Sequence, residues 1–169
     1  MNERGDVIRH DFKLLESIII TGMPRKGKSW FTLSVLTQMC AFCSPKELHL
    51  YIGDPKDGIS DYNNFVLPHV KRFESEDSKV LNMLRELVKV EAPRRTKIIG
   101  DASNVNIWDF KAKYPDVDLP VIDVVVDERV TLSSMEKEYS RIKYALCKVK
   151  ETGYFNYGLV KTEKEKVPA

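Results

Sequence analysis

The sequence lacks a charge of one sign: 27 Lys and Arg stand against 25 Asp and Glu, a net charge of +2. Bulk electrostatics therefore give no sign of a nucleic-acid binder. It also lacks any apolar run near the roughly eighteen residues that cross a bilayer, so no membrane helix is expected. Cysteine is scarce. Cys40, Cys43 and Cys147 make no even framework and point to a reduced, cytoplasmic setting. The histidines, His10, His49 and His69, are scattered and pair with no cysteine. Without two more ligands at compatible spacing, Cys40-x-x-Cys43 is not a zinc site and reads as two small hydrophobes near the end of an apolar helix. The opening residues MNERGDVIRHDFK have no apolar core of a secretory leader. No internal repeat and no low-complexity linker is present.

What remains is ordinary globular material. The 169 residues are 43% apolar and 31% charged, enough for one domain with its own core. Residues 17–21, SIIIT, are β-branched and apolar on both faces, as in a central parallel strand. From Lys28 to about Phe42, Phe31, Val35, Met39 and Phe42 recur at helical spacing, with Leu33, Leu36 and Cys40 widening the stripe. LHLYIG (48–53) is a second strand ending at Asp54-Pro55, and DPKDGISDYNNFVLPH is a loop. Val80, Leu84, Leu87 and Val88 give a helical face after caps at 75–78. Pro93 is expected to kink or end that helix, with a shorter one around 104–112.

VIDVVVDE (121–128) reads as a third strand, mostly buried apart from Asp123. An unpaired buried carboxylate is costly, so Asp123 should lie near an edge, be protonated, or pair with Lys or Arg. Ser133-x-x-Glu136 is a capping box, and Met135, Tyr139, Ile142, Leu146 and Val149 form one face of the helix it opens. Gly153 is a natural stop. YFNYGLV reads as a fourth strand and KTEKEKVPA as a solvated tail. Alternating strands and helices mean an α/β fold with a largely parallel sheet.

Residues 22–29, GMPRKGKS, fit G-x-x-x-x-G-K-[ST], which a random chain of this length matches roughly once in two hundred. The match lies between a predicted strand and a predicted helix. Glycines let the backbone wrap with its N–H groups aimed inward, and the helix that follows points its positive end at the same place. Lys28 would reach the β- and γ-phosphates of ATP, and the Ser29 hydroxyl would bind Mg²⁺. The candidate nucleotide-binding residues are Gly22, Lys26, Gly27, Lys28, Ser29 and Trp30. About a hundred residues on, Asp127-Glu128 closes an apolar strand. There Asp127 could hold the Mg²⁺ shell, and Glu128 could orient a water for attack on the γ-phosphate. Lys28 and Glu128 are the candidate catalytic residues; Ser29 and Asp127 are the candidate metal ligands.

Five segments in order then resemble the ATPase motor domain of the FtsK/SpoIIIE family of DNA translocases, including relatives in conjugative elements. GMPRKGKSW stands where that family has a G-A-T-G-S-G-K-S type of loop. SPKELHLYIGDPKDG resembles its second strand and D-P-K-G turn, matching Asp54, Pro55 and Lys56. YNNFVLPHV resembles Y-x-x-x-P-H, PRRTKIIGDASNVNIWDF resembles E-R-R-Y…G-x-R-N-I-x-x-Y, and LPVIDVVVDE resembles L-P-x-I-V-V-V-I-D-E. The likeness runs from about residue 5 to residue 128, and weakly to 153.

The resemblance implies a P-loop NTPase (RecA-like) core over 1–153, with a further strand and polar tail over 154–169. It implies ATP and Mg²⁺ as cofactors, double-stranded DNA as partner and a hexameric ring with ATP at subunit interfaces. Many family members are membrane-tethered, through segments absent here. Pro24, Arg25 and Lys26 replace small residues of the family loop, as a solvated turn or as extra charge beside the phosphate site. Arg94 and Arg95 match a family arginine pair. The family continues with a strand ending in a T-Q-R-P-like element, for which Thr162-Glu163-Lys164 is the nearest counterpart. The core is therefore expected to be incomplete at its C-terminus, and weak or inactive alone. The rival readings are a non-catalytic nucleotide- or partner-binding fragment and a protein-secretion ATPase of the same superfamily.

Overall fold

The computed structural model describes residues 17–23, 25–55, 60–99, 107–127 and 155–162, the last stretch by its backbone. Expectations for Pro24, Lys56, Glu128, the helix over 133–149, Cys147 and Gly153 lie outside the described residues.

Strand β1 (Ser17–Gly22) leads into helix α1 (Lys28–Phe42), and strand β2 (Leu48–Gly53) follows. A third strand, β3 (Val70–Glu74), occupies a stretch the sequence left unassigned. VKRFE is mostly polar because β3 is a sheet edge, paired with β2 alone among the described strands. Helix α2 (Asp77–Glu86) runs through a single π-helical turn, Leu87–Glu91, into α3 (Ala92–Ile99). Pro93 therefore does not end the helix. The helical hydrogen-bond pattern changes register beside it, at the π-turn, and does not stop. Helix α4 (Ile107–Lys113), strand β4 (Val121–Val126) and strand β5 (Phe155–Thr162) complete the order.

The five strands among the described residues are all parallel, in the order β1-β5-β4-β2-β3. Residues 155–162 thus form the strand between β1 and β4, so the sheet of the core reaches past residue 153. β1 is an edge strand among the described residues, not a central one, and its Ile19 is 61% exposed.

Register and contact fix the two faces. Gly53 pairs with Val126, and a side chain at Gly53 would run into Val80 of α2, so α2 covers that face. One residue on, Asp127 turns to the opposite face and meets Ser29 of α1. β4 is buried along its whole length, as a strand covered on both sides must be. Leu48, Leu50 and Ile52 of β2, Val80, Leu81 and Leu84 of α2, and Val124 and Val126 of β4 form the centre of the core.

The exposed side of α1 corrects a sequence expectation. The helix buries Thr32 and Leu36, whereas Phe31 and Phe42 face outward. Apolar residues lie all round α1, so spacing alone cannot choose its inner face. Asp123, expected near an edge, protonated or paired with Lys or Arg, is not at an edge: it lies on β4, the central strand of the sheet, opposite Leu50, and is buried. Burial pushes its carboxyl from the ordinary 3.8 up to about 7, a hydrogen bond from Val124 opposing. The charge of Asp123 in turn helps raise the Cys40 thiol, after burial and Cys43.

Two outcomes follow. Gly53→Ala would set a Cβ 2.7 Å from Val80 Cγ1, and denaturant unfolding should give a loss of about 1–3 kcal/mol. Asp123 holds its proton in the fold up to about pH 7 but loses it near 4 when unfolded. Its contribution is therefore harmless below about pH 4 and increasingly destabilising as pH rises towards 7. Asp123→Asn should accordingly raise stability at pH 8, by up to about 4 kcal/mol, and change it far less at pH 4.5. Equal gains at both pH values would contradict a neutral, buried carboxyl.

Candidate nucleotide site

The chain leaves β1 at Gly22 and turns back into α1 within five residues. Two residues make that turn in the left-handed region, Arg25 at φ 60° and Gly27 at φ 83°. Alternation of hand turns successive N–H groups to one side, the arrangement that cradles an anion. Gly27 is the N-cap of α1, and its carbonyl accepts the first helical bond, from the Phe31 N–H at 2.9 Å. No side chain caps the amides of the first turn, and no acidic residue stands in it. The positive end of α1 is thus left facing the loop. The Lys28 ammonium donates to the Met23 carbonyl at 2.9 Å, spanning the loop, and its stem packs against Gly22. Lys26 is exposed, and the Trp30 ring is 75% exposed at the rim.

The second half of the site comes from the end of β4. Asp127 is buried, and its Oδ2 accepts a hydrogen bond from Ser29 Oγ at 3.0 Å. Its backbone N–H donates to the Gly53 carbonyl at 2.9 Å, tying the ends of β4 and β2 together. The crevice thus opens at the carboxyl ends of parallel strands, where ligands of open α/β sheets bind. β5 lies between the two halves, and its Thr162 stands in register with Gly22. Glu128 lies outside the described residues.

A third contributor had no site role in the sequence, where Tyr62 only opens the YNNFVLPHV segment that resembles Y-x-x-x-P-H. The loop after β2 places Tyr62, which is 2% exposed, with its hydroxyl donating to the same Asp127 Oδ2 at 3.3 Å. Burial first, then the Asp127 charge, push the Tyr62 phenol well above its ordinary range, with Thr32 opposing. Ser60 Oγ accepts the Tyr62 N–H at 3.0 Å and donates to Asp54 Oδ2 at 2.6 Å. Asp54 is fully buried. The available signal was position: this loop follows a strand that ends beside the nucleotide crevice.

The arginine pair separates cleanly. Arg95 is 0% exposed and donates to Glu91 Oε1 at 3.0 Å and to the Pro120 carbonyl at the entrance of β4. Arg94 grips the same Glu91 from the surface, at 2.7 and 2.8 Å. Together they hold the Glu91 carboxyl below its usual range, Arg94 contributing most. Arg95 therefore clamps α3 to β4 and has no surface to offer another subunit. The thiols of Cys40 and Cys43 are both pushed up, mainly by burial, which makes them poor nucleophiles.

Fold and crevice together are those of a P-loop NTPase (RecA-like) core. The model of the FtsK/SpoIIIE family matches residues 1–152. The chain belongs to that family. Two curated relatives, each named DNA translocase FtsK, come from Campylobacter jejuni subsp. jejuni, serotype O:23/36 (strain 81-176) and serotype O:2 (strain ATCC 700819 / NCTC 11168). Each is 32% identical over 133 residues, which is 76% of this chain and 14% of the relative. The chain thus spans about a seventh of their length. Among solved structures, the cytoplasmic domain of the Thermomonospora curvata type VII secretion ATPase EccC superposes with a TM-score of 0.73 at 17% identity, covering 89% of this chain and 18% of that one. The pCW3 conjugation coupling protein TcpA, in monomer form with ATPgS, gives 0.69 at 21% identity, covering 90% and 44%. At such identities the likeness establishes the fold.

Arg95→Ala would empty a fully buried side-chain site and leave the Pro120 carbonyl short of a donor, while Glu91 keeps its two bonds to Arg94. Chemical denaturation should register a loss of about 2–5 kcal/mol. Arg94→Ala, at the surface, should cost no more than about 1 kcal/mol.

Proposed function

We propose that this chain binds ATP with Mg²⁺ on the loop of residues 22–29 and is the nucleotide-binding core of a DNA-translocating ATPase. The observation that carries the reading is the Ser29–Asp127 contact, which joins residues 98 apart in sequence at the mouth of the phosphate loop. Both groups are hard oxygen donors. Their 3.0 Å spacing suits adjacent vertices of a Mg²⁺ octahedron with metal–oxygen distances of about 2.0–2.1 Å. Ser29 and Asp127 would hold the ion, which when bound neutralises charge on the β- and γ-phosphates.

The remaining steps belong to the chain. Backbone N–H groups of Lys26, Gly27 and Lys28 cradle phosphate, and Gly22 and Gly27 allow the backbone to pass close by. Lys28 exchanges the Met23 carbonyl for phosphate oxygens, a stronger, charge-assisted partner. Trp30, at the rim, borders the bound nucleotide. Glu128, which follows Asp127, orients the attacking water. An arginine supplied by another subunit of a ring would add roughly 10³–10⁵ in rate, so the isolated chain should turn over slowly. Arg95 is not that arginine.

Movement of double-stranded DNA is supported by the name and identity of the Campylobacter relatives. A cytoplasmic setting goes with that reading. Protein secretion is the second reading, favoured by the fold likeness to the type VII secretion ATPase EccC. Duplex DNA separates the two, because it should stimulate only a DNA motor.

The test is binding and turnover of Mg-ATP, with and without duplex DNA, by this chain and by Lys28→Ala. The substitution should weaken nucleotide binding by about ten- to a hundredfold, the worth of a charged hydrogen bond to phosphate. Binding that ignores the loss of Lys28 would sink the assignment of this loop.

A further inference from the structure

The carboxylate of Asp127 is held from two sides, and only one of them belongs to the phosphate loop. Ser29 Oγ reaches Oδ2 from α1, while the Tyr62 hydroxyl reaches the same oxygen from the loop after β2. At 3.3 Å the tyrosine bond is long for a hydroxyl on a carboxylate, so its effect should be real but modest. Two donors converging on one oxygen restrict rotation of the carboxylate about its Cβ–Cγ bond. A ligand already held in its bound orientation gives up less freedom when an ion arrives.

Tyr62 is itself held. Its N–H is fixed by Ser60 Oγ, whose own proton goes to the buried Asp54, and its carbonyl accepts the Phe65 N–H at 2.9 Å. The line Asp54–Ser60–Tyr62–Asp127–Ser29 therefore runs from the turn after β2 to the start of α1 without a break.

We infer that Tyr62 is a positioning residue for Mg²⁺: its hydroxyl fixes the Asp127 carboxylate, and Ser60, itself bonded to Asp54, fixes Tyr62. This rests on the nucleotide reading above and deepens it, since it assigns the loop after β2 to metal affinity and not to phosphate binding. A hydroxyl that served only to satisfy a buried tyrosine would leave metal and nucleotide affinity coupled. A positioning hydroxyl acts on the metal alone.

The experiment titrates a fluorescent ADP analogue against the 169-residue chain, first in EDTA and then across a range of MgCl₂. Tyr62→Phe, which keeps the ring and the packing, should leave the affinity in EDTA unchanged. It should raise the Mg²⁺ concentration that half-tightens nucleotide binding by about three- to tenfold, the worth of one ordinary hydrogen bond, because the contact is too long for the full strength of a bond to a charged group. Ser60→Ala, one link further away, should move the Mg²⁺ midpoint in the same direction by less. A Tyr62→Phe chain identical to the original in both arms overturns the inference, and so does one weakened equally in both. If the unaltered chain binds the analogue but gains nothing from Mg²⁺, the metal role of Asp127 and Tyr62 falls while the phosphate loop stands. If it binds nothing in either arm, the nucleotide reading fails and takes this inference with it.

Discussion

A buried carboxylate must be compensated, and at Asp127 the compensation organises the site. Isolated in the interior, an ionised Asp would cost far more than the fold could spare. Here its oxygen takes hydroxyl bonds from α1 and from the loop after β2, and its backbone is tied to the end of β2. Each partner comes from a different part of the chain. Helix α1, the loop after β2 and the sheet must therefore be placed together before the carboxylate is satisfied. The same convergence leaves an uncapped helix end, a lysine and two oxygen donors at one mouth.

Two other buried ionisable groups meet the same constraint by different means. Arg95 cannot shed its charge at working pH, so it needs Glu91 and the Pro120 carbonyl around it. It serves as a clamp between α3 and the start of β4. Asp123 can shed its charge, and burial drives it to do so, with its carboxyl raised to about 7. On one strand, β4, a carboxyl at the middle is tuned towards neutrality and a carboxylate at the end is held by hydroxyl donors. Strand position decides this: the middle faces the packed helix, and the end faces the crevice.

Much of this was legible in the sequence. β1, α1, β2, α2, α4, β4 and β5 announce themselves through β-branched runs, helical spacing and a loop motif set between strand and helix. The pairing of Ser29 with Asp127 follows once those elements alternate. What was not legible has physical reasons. β3 is polar because it pairs on one side alone among the described strands, so VKRFE carries little apolar signal. The inward side of α1 was hidden because Phe31 and Phe42 extend an apolar surface around the helix. Pro93 reads as a breaker unless the preceding π-turn is known. Tyr62 looked like a loop residue, since a hydrogen bond to a residue 65 positions away leaves no mark on local pattern.

The place of β5 has a consequence for how the molecule comes into being. Among the described strands, β1 has β5 as its sole neighbour, and β5 also completes the pairing of β4. The strand bearing the loop of residues 22–29 leaves a ribosome more than a hundred residues before the strand that joins it to the rest. Until residues 155–162 emerge, β1 can lean on α1 but has none of the described strands to pair with. Such long-range parallel pairing closes slowly, because chain entropy must be spent before any ladder bond is made. During synthesis the phosphate loop should therefore acquire its final geometry late, after β2, β3 and β4 have assembled around their own core. A nascent chain halted just short of residue 155 would carry both Ser29 and Asp127, yet lack the strand that stands between the two halves of the crevice.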